Sequence, residues 1–319
     1  MADYLHEGDI TLENGILGTT WQVTTGNPAT FYQAISAPDS VPETQIFAQT
    51  FLPVNIDRPP IVIVVPGSLG IAPSHVYKAK LLTDAGMAAC LLDPFGARHV
   101  ESTVANQAQY SFAASAWDVS ATVASLTEQG LVDPDRIGVQ GHSRGGSAVL
   151  SAASMAKFTH FAGRIAGAYA AYPWSGQQFL NPDVGATKVR SIVGDQDEWC
   201  LPQQIQGHMQ TLAMCGCDAT WRIVAGAHHS FDRDTGVENV EAASVAPAAP
   251  TIYIDDDGTS IHPVNGRMPP DTSERDLMLY GIKAGYGKRG AHLGTAADYA
   301  DIFHADMMTF WRDCLMPKP

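Results

Sequence analysis

Serine, histidine and carboxylate side chains lie in three short segments whose order along the chain suits nucleophilic catalysis. The segments are Gly-His-Ser-Arg-Gly at 141–145, Gly-Asp-Gln-Asp-Glu at 194–198 and Gly-Ala-His-His-Ser at 226–230. A serine hydroxyl is a weak nucleophile until a base takes its proton, and a histidine oriented by a carboxylate is a common base. The three segments therefore predict acyl-transfer chemistry on Ser143.

The first segment matches the pattern G-x-S-x-G, in which the serine occupies a sharp turn between a strand and a helix. The residues before the turn, 136–141, have the apolar character of a buried strand, and the residues after it predict a helix over 144–156. Glycines two positions before and two after the serine let the backbone pass without side-chain clashes. This context makes the match stronger evidence than the bare pattern.

Each partner of the serine has a neighbour that could replace it. In the chain order Ser, Asp/Glu, His, Asp197 is the expected acid and His229 the expected base. Asp197 could instead cap a helix, which would leave Asp195 or Glu198 as the acid. His228 is the alternative to His229 as the base.

From residue 61 onward, apolar strand patterns alternate with helical patterns, which predicts a mainly parallel central sheet flanked by helices. We expect strands at 61–67, 87–95, 136–141, 165–173, 187–197 and 220–231, and helices at 74–86, 105–129, 144–156, 202–214 and 296–315. All three segments then lie at the carboxyl ends of parallel strands, where this architecture collects ligands.

A single domain is expected over 1–319, with a β-rich N-terminal extension at 1–60 and an inserted segment at 232–290 before the last helix. In the insertion, 240–250 and 286–295 read as irregular loops, and a short strand precedes a tight turn at Asp257-Gly258. The insertion is a candidate lid or interface arm, so a homodimer formed through it is one option.

These motifs resemble the dienelactone hydrolase family of the α/β-hydrolase fold. Gly-His-Ser-Arg-Gly-Gly is similar to the family's nucleophile turn, Gly-Asp-Gln-Asp to its acid motif with Asp197 in the acid position, and Gly-Ala-His-His-Ser-Phe to its histidine motif with His229 in the histidine position. Val-Val-Pro-Gly-Ser-Leu-Gly at 64–70 resembles the family's oxyanion loop. The resemblance covers roughly 45–231 and the last helix.

The chain departs from that family in its nucleophile, in its oxyanion loop and in the insertion at 232–290, which is longer than a minimal family member would need. The namesake lactone hydrolases have a cysteine nucleophile where Ser143 stands, and many relatives have His-Gly where this chain has Pro66-Gly67. The serine favours a general serine esterase over a hydrolase of dienelactone itself.

The resemblance and the triad chemistry together assign roles. Ser143 attacks an acyl carbonyl, His229 takes and returns the proton, and Asp197 holds the imidazole in the right tautomer.

The developing oxyanion needs two backbone N–H donors, expected from Arg144 and from Ser68, or else Leu69. His142 is expected to pack against or hydrogen-bond with residues around the nucleophile. Trp174 and Trp199 follow the ends of strands, and each could either line the pocket or pack elsewhere in the protein. The candidate pocket residues are Leu69, His142, Trp174 and Trp199.

The charge and the cysteine content of the chain argue against several classes of partner and against secretion. The net charge of −14 disfavours nucleic acid and anionic membranes. Five cysteines, an odd number in a long chain, argue against a secreted disulfide framework, and the acidic first ten residues carry no signal-peptide pattern. We therefore expect a cytoplasmic protein that acts on a small ester or lactone without a metal or cofactor.

Three alternatives to an ester or lactone hydrolase stay open. An amidase or peptidase and an acyltransferase would use the same triad and the same acyl-enzyme. A non-catalytic binding protein of this fold is disfavoured because all three triad residues are present.

Overall fold

The structure, a computed structural model, describes residues 7–158, 161–296 and 298–316. Residues 1–6 of the predicted N-terminal extension and residue 297 of the predicted last helix lie outside these ranges. The described strands are β1 (Thr19–Gly26), β2 (Glu43–Phe51), β3 (Ile61–Val65), β4 (Ala88–Asp93), β5 (Ile137–His142), β6 (Gly167–Ala171), β7 (Gln177–Phe179), β8 (Lys188–Gly194), β9 (Ala219–Val224), β10 (Glu238–Val245), β11 (Ile252–Ile254), β12 (Ser260–His262), β13 (Gly266–Arg267) and β14 (Lys288–Leu293). The described α-helices are α1 (Phe31–Ser36), α2 (Pro73–Asp84), α3 (Phe112–Gln129), α4 (Arg144–Met155), α5 (Pro202–Met214), α6 (Glu274–Lys283) and α7 (Tyr299–Leu315).

The central sheet has the strand order β1-β2-β4-β3-β5-β6-β8-β9. From β4 to β9 neighbouring strands are parallel, and β1 and β2 are antiparallel to their neighbours. Every residue of β3, β4, β5 and β6 is buried, as expected for strands covered by helices on both faces. The predicted α/β class with a mainly parallel sheet is confirmed.

The last helix, α7, packs one face against the sheet. Phe303, Met307 and Trp311 are buried on this face. Trp311 fills the space above Gly138, where an added Cβ would lie 2.3 Å from its ring, and its indole N–H donates to Gln140 Oε1 at 2.7 Å. The helix therefore closes the core beneath β5, the strand that leads to Ser143.

Strands β1 and β2 account for the β-rich character predicted for the N-terminal residues. Strands β1 and β2 extend the central sheet, because β2 pairs antiparallel with β4 from Phe47 opposite Asp93 to Phe51 opposite Ala89. The short helix α1 between them was not expected.

The predicted helix over 105–129 begins later, at Phe112. Ser111 caps it, since its hydroxyl accepts the backbone N–H of Ala114 at 2.9 Å. An N-cap of this kind fixes where a helix begins more firmly than apolar periodicity does. The residues before Ser111 form a loop that approaches the serine turn.

The expectation of irregular loops in the insertion was wrong at 240–245 and 288–293, whereas 246–250 are irregular as expected. β10 occupies most of the Ala/Pro-rich stretch and pairs antiparallel with β14, which lies in the other expected loop. The expected strand and turn are present, since β11 and β12 pair across Asp257-Gly258. β11 also pairs in parallel with β7, so the insertion is hydrogen-bonded to the chain that follows β6. Helix α6 was not expected either.

Within the described ranges, none of the helices is both long enough and apolar enough to cross a membrane.

Candidate active site

Ser143 stands between β5 and α4 with a strained backbone, at φ 55° and ψ −114°. Such a conformation in a residue other than glycine costs roughly 1–3 kcal/mol and persists only where its surroundings hold it. A Cβ on Gly141 would lie 1.9 Å from the carbonyl oxygen of Gly145, and a Cβ on Gly145 would lie 2.4 Å from that of Val65. The two glycines of the motif are therefore sterically required, and they let the turn present the serine above the sheet.

Three side chains from separate loops meet at this turn. The imidazole Nε2 of His229 lies 3.1 Å from Ser143 Oγ, and its Nδ1 lies 2.7 Å from Asp197 Oδ2. His229 and Asp197 are both buried. A carboxylate accepts from Nδ1–H, which leaves Nε2 as the acceptor for the serine hydroxyl.

Asp197 also accepts two backbone N–H groups. Its Oδ1 lies 2.8 Å from the nitrogens of Trp199 and of Cys200, while Oδ2 faces His229. The carboxylate thus binds the turn before α5 and contacts the imidazole at the same time. The N-cap position of α5 is occupied by Leu201, so Asp197 is not the helix cap that the sequence also allowed.

The loops that carry the acid and the histidine are in close backbone contact. A Cβ on Gly194 would lie 2.0 Å from the carbonyl oxygen of Ala227. Gly194 ends β8, and Ala227 lies two residues before His229. Only glycine at this position lets the two loops approach closely enough for the 2.7 Å contact.

The three alternative residues make other contacts. Asp195 accepts the backbone N–H of Gly226 at 2.7 Å. Glu198 accepts from the backbone nitrogen of His292 at 3.0 Å and from its Nδ1 at 2.6 Å. His228 lies beside His292, with ring centres 6.0 Å apart, and its Nδ1 has no partner among the described residues. None of the three is brought to the serine hydroxyl.

The two predicted oxyanion donors flank the serine. Arg144 is the first residue of α4, so its N–H has no acceptor within the helix. Ser68 follows Gly67, where an added Cβ would lie 3.2 Å from the Cβ of Ser143. Leu69 is 38% exposed and lines a small cavity beside the serine.

The side chain of Arg144 holds the loop that precedes α3. It is buried and donates to the carbonyl oxygens of Gln107 at 2.9 Å and Tyr110 at 2.6 Å. Its guanidinium carbon also lies 4.1 Å from the centre of the Phe112 ring. The residue that follows the nucleophile therefore fixes one wall of the site.

His142 precedes the nucleophile but points into the protein. Its ring packs edge-on against His75 at 4.7 Å, and it is buried at one side of the small cavity. Burial, and then the charge of Lys78, lower the pKa of His142 to about 3. The imidazole is therefore neutral near pH 7.

A larger cavity of about 190 Å³ opens beside Ser143 and extends to the inserted segment. Trp174 and Trp199 both line it. Trp199 stacks on His229 with ring centres 5.3 Å apart, and Trp174 stacks on Phe112 at 4.7 Å. Among the described residues, no three histidine, cysteine, aspartate or glutamate side chains are arranged to hold a metal ion.

Sequence reasoning missed a cysteine beside the nucleophile. Cys200 Sγ lies 3.9 Å from Ser143 Oγ. Burial, and then the charge of Asp197, raise the pKa of this thiol well above its usual value. The thiol stays protonated near neutral pH, and a protonated thiol is a poor nucleophile. Its position three residues after Asp197 is the only sequence signal that could have indicated it.

A buried ionic group behind the histidine was also missed. Asp232 Oδ2 lies 2.5 Å from Lys78 Nζ, and Asp232 Oδ1 accepts the hydroxyl of Tyr172 at 2.5 Å. The ring of Tyr172 packs edge-on against His229 at 4.7 Å. Lys78 lies in an ordinary helix and Asp232 lies just past the histidine motif, so nothing in the sequence indicates that the two residues pair.

The family model described as the dienelactone hydrolase family matches residues 46–251. A comparison with curated protein sequences found no match.

Among solved structures, the chain is similar to a mutant form of the esterase Est22, with a TM-score of 0.52, 17% identity, and 70% of this chain and 75% of that one covered. It is also similar to a putative dienelactone hydrolase from Klebsiella pneumoniae subsp. pneumoniae MGH 78578 (TM-score 0.49, 19% identity, 67% and 89% covered). A third is a dienelactone hydrolase-like promiscuous phosphotriesterase from metagenomic libraries (TM-score 0.48, 15% identity, 85% and 99% covered). At these identities, the likeness to Est22 indicates a shared fold.

The family match covers well over half of the chain and includes all three segments from which the sequence argument began. The predicted family is confirmed, and with it the expectation of an enzyme that hydrolyses carboxylic esters. The chain belongs to the dienelactone hydrolase family.

Proposed function

We propose that the chain hydrolyses a carboxylic ester or lactone through a covalent acyl-enzyme formed on Ser143. One observation carries the proposal: Asp197, His229 and Ser143 form a continuous line of hydrogen bonds, 2.7 and 3.1 Å long, at a strained turn. A nucleophile bonded to a base, with the base oriented by a third group, is the arrangement that activates a serine.

In the first half-reaction, His229 Nε2 takes the proton from Ser143 Oγ as Oγ bonds to the acyl carbon. The tetrahedral intermediate collapses when its bond to the alcohol oxygen breaks, and the imidazole donates its proton to that oxygen. In the second half-reaction, His229 deprotonates a water that attacks the acyl carbon. The acid leaves and the proton returns to Ser143.

The backbone N–H groups of Arg144 and Ser68 bind the oxyanion of the intermediate in this proposal. Preorganised donors of this kind stabilise charge that develops only in the transition state, and the loss of one donor typically costs 10²–10³ in kcat. The free N–H at the start of α4 also lies at the positive end of the helix dipole, which stabilises the negative charge of the oxyanion.

The direct test is hydrolysis of p-nitrophenyl acetate, butyrate and octanoate by the wild type and by Ser143→Ala. We expect the substitution to lower kcat by about 10⁴-fold or more while the circular dichroism spectrum stays that of the wild type. Near-wild-type turnover in a folded Ser143→Ala variant would contradict the assignment.

Adjacent histidines provide a matched control for the base. His229→Asn should lower kcat by orders of magnitude, whereas His228→Asn should have a far smaller effect, because of the two histidines it is His229 that lies within hydrogen-bonding distance of Ser143. The opposite ranking would make His228 the base.

Cys200 tests whether the nucleophile is the serine or the neighbouring thiol. We expect Cys200→Ser to lower turnover far less than Ser143→Ala, since the buried thiol is protonated and the imidazole contacts the serine. An acyl-enzyme trapped by mass spectrometry should lie on the peptide that contains Ser143. An adduct on Cys200 would assign the nucleophile to the thiol.

A further inference from the structure

Residues that line the cavity beside Ser143 carry buried polar atoms without partners. Among the described residues, buried atoms that lack a hydrogen bond include Arg144 Nε, Gln177 Oε1 and His262 Nε2, and all three residues line this cavity. A buried polar atom left unsatisfied costs about 1–3 kcal/mol. Such atoms grouped around one cavity indicate a ligand that supplies their partners.

His262 presents a hydrogen-bond donor. The residue is 1% exposed, and its Nδ1 accepts the backbone N–H groups of Val264 and Asn265, both at 3.1 Å. A ring nitrogen that accepts carries no proton, so the proton of the neutral imidazole is on Nε2. The unpartnered atom is therefore an N–H that needs an acceptor.

Gln177 presents the complementary acceptor. Its amide nitrogen lies 3.4 Å from Glu274 Oε2, a contact that orients the amide with the nitrogen toward the carboxyl group. Its Oε1 is the unpartnered atom. Gln177 begins β7 and His262 ends β12, two strands of the same small sheet. A donor and an acceptor are thus placed on one small sheet, with β11 between their strands.

The arginine and the glutamate of the cavity already have partners. Arg144 and Glu274 both line it, and Glu274 Oε1 accepts the backbone N–H of Phe112 at 3.2 Å. The terminal nitrogens of Arg144 already donate to Gln107 and Tyr110, and burial favours the uncharged form of Glu274 by raising its pKa, so neither side chain is placed to pair with a charged ligand at His262 and Gln177. The group that satisfies His262 and Gln177 is therefore neutral.

The other side chains that line this cavity can accommodate an aromatic ring. Aromatic side chains that line the cavity are Phe112, Trp174, Trp199, Tyr280 and Tyr286. Aromatic rings favour offset-stacked and edge-on contacts with one another, and these contacts stabilise beyond the area they bury. An aromatic arm of the substrate would fit these walls.

We propose that this cavity binds one arm of the ester, an aromatic ring with an uncharged hydroxyl group, and that the hydroxyl accepts from His262 Nε2 and donates to Gln177 Oε1. A hydroxyl is the small neutral group that both donates and accepts at one atom. The proposal rests on the proposed function, because the arm is held while Ser143 attacks the acyl carbon.

The first measurement uses substrate pairs that differ by that hydroxyl alone. Methyl 3-(4-hydroxyphenyl)propanoate is compared with methyl 3-phenylpropanoate, and 2-(4-hydroxyphenyl)ethyl acetate with 2-phenylethyl acetate, so that either side of the ester can carry the arm. We expect kcat/KM to be at least about tenfold higher for the hydroxylated member of one pair, since a site that hydrogen-bonds a hydroxyl rejects the analogue without it.

Two variants locate the preference. His262→Asn keeps an oxygen near the position of Nδ1, to accept the N–H groups of Val264 and Asn265, but removes the Nε2 donor. Gln177→Met removes the acceptor. Each should bring the kcat/KM ratio of the preferred pair toward one. His304→Asn on α7 and Gln203→Met on the exposed face of α5 make the same chemical changes outside the cavity and should leave the ratio unchanged.

A wild type that hydrolyses p-nitrophenyl acetate but prefers neither hydroxylated ester overturns this inference and leaves the proposed function standing. A preference that survives both cavity variants also overturns it. If His262→Asn fails to fold, the wild-type ratio and Gln177→Met still decide. Full p-nitrophenyl acetate turnover by Ser143→Ala would instead overturn the proposed function.

Discussion

Lys78 and Asp232 form a buried ion pair behind the candidate base, with Nζ and Oδ2 2.5 Å apart and both side chains almost completely shielded from solvent. Lys78 belongs to α2, and Asp232 follows His229 by three residues. The same carboxylate accepts the hydroxyl of Tyr172, whose ring packs on His229. The pair therefore joins a helix of the scaffold to the loop that carries the imidazole.

Removal of one member of this pair should destabilise the fold strongly. Asp232→Asn leaves the ammonium of Lys78 buried without its counter-charge, so we expect the free energy of unfolding to fall by about 3–5 kcal/mol. Urea denaturation, monitored by tryptophan fluorescence, measures this free energy of unfolding. The exposed Asp256→Asn is the control and should change stability by less than about 0.5 kcal/mol. The double variant Lys78→Met/Asp232→Leu should be less destabilised than Asp232→Asn, and equal losses would count against an ionic role.

The same pair should make stability depend on acid pH. Burial alone would raise the pKa of Asp232, but the charge of Lys78 and the hydrogen bonds from Lys78 and Tyr172 outweigh it and hold that pKa far below its usual value. A depressed folded-state pKa contributes stability that is present above the unfolded-state pKa of about 3.9 and is lost as pH falls below it. The stability difference between wild type and Asp232→Asn should therefore be constant near neutrality and shrink from about pH 4 downward. Urea titrations at pH 7, 5, 4 and 3 measure it, and a pH-independent difference would contradict the assignment.

The glycine between the acid and histidine loops should tolerate no side chain. Gly194→Ala places a Cβ within 2.0 Å of the Ala227 carbonyl oxygen, so the loops must separate and the contact between Asp197 and His229 lengthens. Since small displacements of catalytic groups can cost 10²-fold, we expect kcat to fall by about that factor or more. Gly207→Ala is the control, because a Cβ there meets nothing within 4 Å and α5 should gain about 0.5–1 kcal/mol. Wild-type kcat in Gly194→Ala would refute the steric argument.

Glu198 should attach the inserted segment to the acid loop. Its carboxylate accepts from His292 on β14 and from Lys288 at 3.0 Å. The hydrogen bonds from His292, and then that from Lys288, lower the pKa of Glu198 to about 2, so the carboxylate stays charged at neutral and mildly acid pH. Glu198→Ala should speed amide hydrogen exchange over 288–293 and raise KM for aromatic esters more than for p-nitrophenyl acetate.

The control for this attachment is Glu241→Ala on the exposed face of β10. It removes a carboxylate from the strand that pairs with β14 and should leave both measurements close to the wild-type values. Equal effects from the two variants would mean that lost charge, rather than a specific contact, loosens the segment.

The triad candidates were predictable because each lies in a local pattern whose geometry is set nearby in the chain. The turn at Ser143 needs a strand before it, a helix after it and glycines at 141 and 145, and all of these can be identified from neighbouring residues. The parallel sheet was likewise predictable, since β3, β4, β5 and β6 consist mostly of apolar or small residues. The choice of Asp197 over Asp195 or Glu198 was left open by the sequence, because three carboxylates in four positions differ only in where the turn directs them.

The inserted segment marks the limit of such prediction. β10 and β14 pair across more than forty residues, and β11 pairs with β7 from beyond β9. Strands whose partners are so distant in sequence are only weakly indicated by their own residues. β10 was missed because it overlaps the Ala/Pro-rich stretch at 240–250, whose composition is typical of a loop.

The sequence by itself determined the α/β class, the family and the three segments that carry the candidate nucleophile, acid and base, because period, turn chemistry and motif spacing are local properties of the chain. Only the tertiary structure decided which histidine contacts Ser143 and which carboxylate contacts that histidine, that Lys78 and Asp232 pair behind them, and that Gln177 and His262 line one cavity. Those relationships join residues between 32 and 154 positions apart, and the packing of the whole sheet and its helices, not any local pattern, brings them together.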